Sequence, residues 1–146
     1  MIKFLKIFTL VTFIISFSNI SFSKENFYNE GVKLFNIEKY EEAKFLFERN
    51  IVLDPKHSES YLYLAKIYKE KENKEKEEKN LETTLLIDPT NEEAILMLMV
   101  IALEKTNYSK VKELSVRFTK VCKKLCEENE KIKKDLENLE PISNES

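Results

Sequence analysis

The chain has 146 residues, with 24 Lys and Arg against 26 Asp and Glu, one His, two Cys and a single Gly. A net charge of −2 with interleaved signs gives no electrostatic reason to seek nucleic acid. One glycine and three prolines leave little punctuation for a many-stranded sheet, and the abundant Phe, Tyr, Leu and Ile exclude a disordered composition. The composition is that of a helical, folded chain.

Residues 1–23, "MIKFLKIFTLVTFIISFSNISFS", read as a signal peptide rather than as part of the fold. Lys3 and Lys6 make a basic start, Phe8 to Phe17 an apolar centre, and Ser21 and Ser23 are small residues spaced like a cleavage site. A retained anchor is the alternative. The 17 uncharged residues between Lys6 and Lys24 stand at the short limit for a bilayer span and end in a polar, Ser-rich stretch. The chain is therefore expected to be exported: periplasmic or secreted, or else attached to the cytoplasmic membrane and facing outward. What remains, 24–146, is 123 residues with a net charge of −4, enough for one domain.

A repeat organises that remainder. "EKYEEAKFLFERNIVLDP" (38–55) lies over "ENKEKEEKNLETTLLIDP" (72–89) without a gap, and "FYNEGVKLF", "YLYLAKIYK" and "ILMLMVIAL" follow one another at the same step of 34 residues. Apolar residues keep helical spacing in each unit, as in Tyr61, Leu64, Ala65 and Tyr68. Each unit thus predicts two helices joined by a polar turn. Asp54-Pro55 and Asp88-Pro89 end the second helices, because proline cannot continue a helix and turns its predecessor away from helical angles.

A 34-residue helix–turn–helix unit of this kind resembles the tetratricopeptide repeat, TPR. The first unit matches with Phe27, Gly31, Leu34, Tyr40, Ala43, Phe47 and Asp54-Pro55. The second keeps Tyr61, Leu64, Ala65, Tyr68, Leu81 and Asp88-Pro89, and the third Ile95, Leu98, Ala102 and Tyr108. The resemblance implies an all-α right-handed superhelix of about three hairpins: repeat 1 at 24–57, repeat 2 at 58–91 and a degenerate repeat 3 at 92–125. A capping helix and loose tail are expected at 126–146, with Ile132, Leu136 and Leu139 on one helix face.

The departures carry information. Glu30 replaces the usual Leu, as suits a repeat with no neighbour before it. In the third unit Ser115 stands in the place of Phe47, and Met99 in that of Gly31, which predicts a wider third hairpin. Lys74 and Glu77 replace the turn Tyr and the small residue of the second. The run "KEKENKEKEEKN" (69–80) balances five Lys against five Glu and is expected to be a solvated hairpin tip of low stability.

Catalytic chemistry is poorly supplied. His57 is the only histidine and falls in the turn between repeats, where it is expected to be solvated and worth little to stability. A Gly-rich phosphate loop is impossible with Gly31 alone, and no cofactor or metal site is expected. Cys122 and Cys126 lack a histidine to complete a metal site. Buried thiols, a local bridge where the helix breaks, and a link between chains all fit their spacing. A redox accessory role through this pair remains as an alternative function.

The TPR resemblance implies that the first helices line a concave surface whose residues choose the partner. One step from the packing face lie Tyr28, Val32 and Phe35; then Leu62, Lys66 and Lys69; then Leu96, Val100 and Leu103. Seven of these nine are apolar or aromatic, which suits an extended apolar peptide or an amphipathic helix. Chaperone-binding TPR proteins hold a terminal carboxylate with Lys and Asn at such places, where this chain has Tyr28 and Val32. The expected function is a non-catalytic protein-interaction scaffold, tethered to the membrane if the N-terminal segment is retained, with homo-oligomers allowed. A covering of the stripes by the C-terminal helix is the competing expectation.

Overall fold

The computed structural model describes residues 25–139, and the proposed signal segment and the tail lie outside them. Seven helices follow in order: α1 (Glu25–Asn36), α2 (Tyr40–Leu53), α3 (Ser58–Glu70), α4 (Lys74–Ile87), α5 (Glu92–Glu104), α6 (Tyr108–Val121) and α7 (Cys126–Leu139). No strand occurs among the described residues. The fold is all-α, an array of three helical hairpins with α7 stacked on α6 and α5.

The three hairpin turns use one device. Glu38, Glu72 and Thr106, spaced by the repeat length, have φ of 61°, 55° and 53°. At each turn the next residue donates its N–H back to a carbonyl five positions earlier: Lys39 to Leu34, Asn73 to Tyr68 and Asn107 to Ala102. This is the Schellman closure, which usually places glycine at the left-handed position. Asn73 and Asn107 then cap the following helix, accepting from the Lys76 and Lys110 N–H groups, whereas Lys39 offers no side-chain cap to α2.

The turns between repeats work differently. The Asp88 carboxylate accepts from the N–H and hydroxyl of Thr90, and Asp54 accepts from the Lys56 N–H, so each Asp-Pro pair folds the chain around the aspartate. His57 and Asn91 then cap α3 and α5 by accepting from the N–H groups of Ser60 and Ala94. His57 is thus a half-buried cap, in contact with the Tyr28 ring at 4.6 Å, and not the solvated turn residue expected from sequence.

Between the helices, the first-unit crossing is tight: a Cβ on Gly31 would come within 2.8 Å of the Phe47 ring. Ala43 and Ala65 are wholly buried. In the third unit the large residue has changed helices, since Met99 replaces Gly31 and Ser115 replaces Phe47, and both are buried. Ser115 donates instead to the buried Asn129 of α7, whose amide donates to Thr119. Ile132 and Leu136 complete the core beside α5 and α6, but Leu139, expected on the same face, is 54 % exposed. At the other end Glu30 and Lys33 are exposed and paired at 3.2 Å, a polar finish where later units bury Leu64 and Ile67.

The two cysteines form a disulfide with Cα atoms 5.4 Å apart, which decides among the arrangements left open by sequence. Cys122 falls at the position of Asp54 and Asp88, just after α6 ends. The Asp-Pro stop is replaced there by a covalent clip. The acceptor that aspartate would have supplied comes from α5, where Glu92 takes three backbone N–H groups from Lys123, Lys124 and Leu125 at 2.9, 3.0 and 2.9 Å.

Candidate functional site

The nine residues expected to line the inner surface lie on α1, α3 and α5 and are not equally available. Val100 is 42 % exposed and Lys69 is exposed. Tyr28, Val32, Phe35, Lys66, Leu96 and Leu103 are half-buried. Leu62 is the correction: at 2 % exposure it belongs to the core with Ala65, Leu81 and Ala94 and cannot meet a partner directly. Its reach is consumed by the neighbouring repeats, which step counting along one helix does not reveal.

At the α1–α3 end the surface is aromatic. Tyr63, absent from the sequence-derived stripe, stacks on Phe47 at 5.0 Å and meets Phe35 and Tyr28 edge-on at 5.2 and 5.8 Å. Burial, with the nearby Tyr63 and Glu59 adding to it, pushes the Tyr28 hydroxyl up to about 12, so it acts only as a neutral hydrogen-bonding group. The Lys66 ammonium lies 4.7 Å from the Tyr63 ring and bridges to Glu93 of α5 at 2.8 Å. Glu59 reaches Asn91 at 3.1 Å, a second polar tie between adjacent first helices. The result is a fixed apolar floor with cation and carboxylate held at its edge.

The C-terminal helix does not lie along this floor. Its packing partners are α6 and, less extensively, α5, so the aromatic end formed by α1 and α3 stays outside its reach. Among the described residues, no group of three or more His, Cys, Asp or Glu side chains could hold a metal ion. No described helix is long and apolar enough to cross a membrane.

The fold is similar to that of TPR domains. No protein-family model matches the sequence, and no curated protein is significantly similar to it. Solved structures do match in shape. The TPR2B domain of yeast Sti1, determined as a complex designated pHsp70, superposes with a TM-score of 0.72 at 13 % identity, covering 82 % of this chain and all of that one. The Sgt2 TPR domain from Aspergillus fumigatus gives 0.66 at 17 % identity over 84 % of this chain and 87 % of the other. The Yersinia enterocolitica type III secretion chaperone SycD, bound to a peptide of the translocator YopD, gives 0.67 at 16 % identity over 78 % and 89 %. At these identities the likeness establishes the fold.

Proposed function

We propose that the protein is a non-catalytic, exported interaction module that holds an apolar extended peptide or an amphipathic helix against its inner surface. The observation that carries this reading is the exposed Val100 on α5 together with the half-buried, mutually packed Tyr28–Tyr63–Phe35 cluster of α1 and α3. Rigid aromatic groups with few rotatable bonds lose little entropy on binding and commonly anchor partners. The structural neighbour SycD, solved with a peptide bound, gives the fold a precedent for such use. The clip between Cys122 and Cys126 agrees with folding in an oxidising compartment, as the signal-like N-terminus implies.

Selection from a displayed library of apolar and amphipathic peptides, followed by titration calorimetry, tests the reading. Val100→Asp should abolish binding of the selected peptide, while Val52→Asp, at an exposed site on α2, should leave it unchanged. Equal loss from both changes, or from neither, would remove the inner surface from the function. Intact mass of the exported chain tests the other half: a chain still beginning at Met1 makes it a tethered scaffold.

A further inference from the structure

A second groove runs along the outer side of the array, between α4 and α6. Leu98 and Ala102 of α5 form its floor, with Leu85 and Leu114 beside them, around a space of about 300 Å³. Leu98 and Val100 are two positions apart on one helix, roughly 200° around its axis, so this groove and the inner surface lie on opposite sides of α5. Leu86 stands at its edge 82 % exposed, the most exposed large apolar side chain among the described residues.

The two walls carry opposite charge. On the α4 side stand Glu78 and Glu82; on the α6 side stand Lys110 and Arg117. Glu78 pairs with Lys105 and Lys110 with Glu113, but Glu82 and Arg117 are free of ion pairs among the described residues. Glu82 makes none, and Arg117 spends its guanidinium on the Pro89 carbonyl at 2.8 and 3.2 Å. A neutral acceptor leaves its charge uncompensated.

We propose that this groove is a self-association surface, occupied by the same groove of a second copy of this chain. Closed dimers form through one patch meeting itself about a two-fold axis. With that axis parallel to the groove, rotation carries the acidic wall of one copy opposite the basic wall of the other. Glu82 then faces Arg117 twice, and each Leu86 comes over the apolar floor of its partner. With the axis across the groove, acid would face acid, so the charge pattern selects a single arrangement. Opposed charges of this kind fix register and exclude wrong pairings.

The test is sedimentation velocity of the full chain, purified after export, over a concentration series at low and high salt. A dimer weakened by salt is expected. Glu82→Arg and Arg117→Glu should each raise the dissociation constant by roughly tenfold or more, and Leu86→Asp should do the same. The two charge variants mixed one to one should form a heterodimer, because each now presents a single sign to the other. That rescue also answers the objection that Arg117→Glu merely loosens the turn at Pro89. A wild type that stays monomeric at its solubility limit overturns the proposal. So does a dimer that the single changes leave intact, or a mixture that fails to pair while both variants retain helical circular dichroism.

Discussion

The Glu92 carboxylate accepts the Leu125 N–H at 2.9 Å, joining the start of α5 to the loop that precedes α7. With the Lys124 and Lys123 N–H groups also bound, it supplies what a turn aspartate supplies between the earlier repeats. These N–H bonds, that of Leu125 first, hold the Glu92 carboxyl below its ordinary value. A lowered folded-state value means the stabilisation is complete above the unfolded-state value of 4.5 and is lost as pH falls through the lowered one. Glu92→Gln should therefore lower the melting temperature at neutral pH and shrink the acid-induced loss below pH 4.5. Identical acid limbs for variant and wild type would show that the carboxylate charge contributes nothing there.

The left-handed turn residues offer stabilising changes. Thr106 is β-branched and has φ of 53°, a conformation that costs an L-residue roughly 1–2 kcal/mol. Thr106→Gly removes the Cβ conflict but adds freedom to the unfolded chain, for a net gain of about 0.5–1 kcal/mol. Thr106→Asn should recover part of it. Thermal unfolding checks both, and a fall in stability with glycine would mean that the Thr106 hydroxyl, bonded to the Lys105 carbonyl, outweighs the strain.

The repeat step, the helix pairs and the Asp-Pro turns were legible because each is written in local periodicity and in residues with strong backbone preferences. The left-handed turns were not, because Glu38, Glu72 and Thr106 carry no glycine signal and only their spacing of 34 betrays them. Ser115 looked like decay of the repeat. It is the partner of Asn129, a match between helices that one-helix patterns cannot express. The inner stripe is a reading of single helix faces, while the burial of Leu62 and the contacts of Tyr63 depend on how the repeats close on each other. Glu92 was hidden for the same reason: its partners lie 31 to 33 residues away.

Caps at α2 and α3 should respond in opposite directions. His57 Nδ1 accepts the Ser60 N–H at 3.2 Å and lies 3.1 Å from the Ser60 hydroxyl, which in turn accepts from buried Asn50 at 2.9 Å. His57→Ala removes the cap and the ring against Tyr28, and should cost about 1–2 kcal/mol. Lys39→Asn gives α2 the cap that Asn73 and Asn107 give α4 and α6, and should contribute about 0.5–1 kcal/mol. Denaturant midpoints measure both. A neutral His57→Ala would return that residue to the role of a plain turn.

Glu77 takes the place of the small Ala43, and its side chain is only 2 % exposed. Its Oε2 has no hydrogen-bond partner, and the nearest cation, Lys74 at 3.8 Å, sits closer to Glu104 at 2.9 Å. Burial raises the Glu77 carboxyl above its ordinary value, with Lys74 and Lys69 pulling back and Glu104 pushing further up. The linkage sign is opposite to that of Glu92. The folded state holds the proton more tightly, so stability declines as pH rises from the unfolded-state value of 4.5 through the raised one, then levels off. Glu77→Gln keeps the shape without the charge and should abolish that decline. Glu77→Ala restores the residue type of the first repeat and should raise stability at pH 7 by about 1–2 kcal/mol, the usual scale for relieving a poorly paired buried polar group. Urea melts at a series of pH values rising from 4.5 compare the three proteins. Parallel pH profiles, or an alanine variant less stable than wild type at pH 7, would mean that the Lys74 contact compensates the buried carboxylate in full.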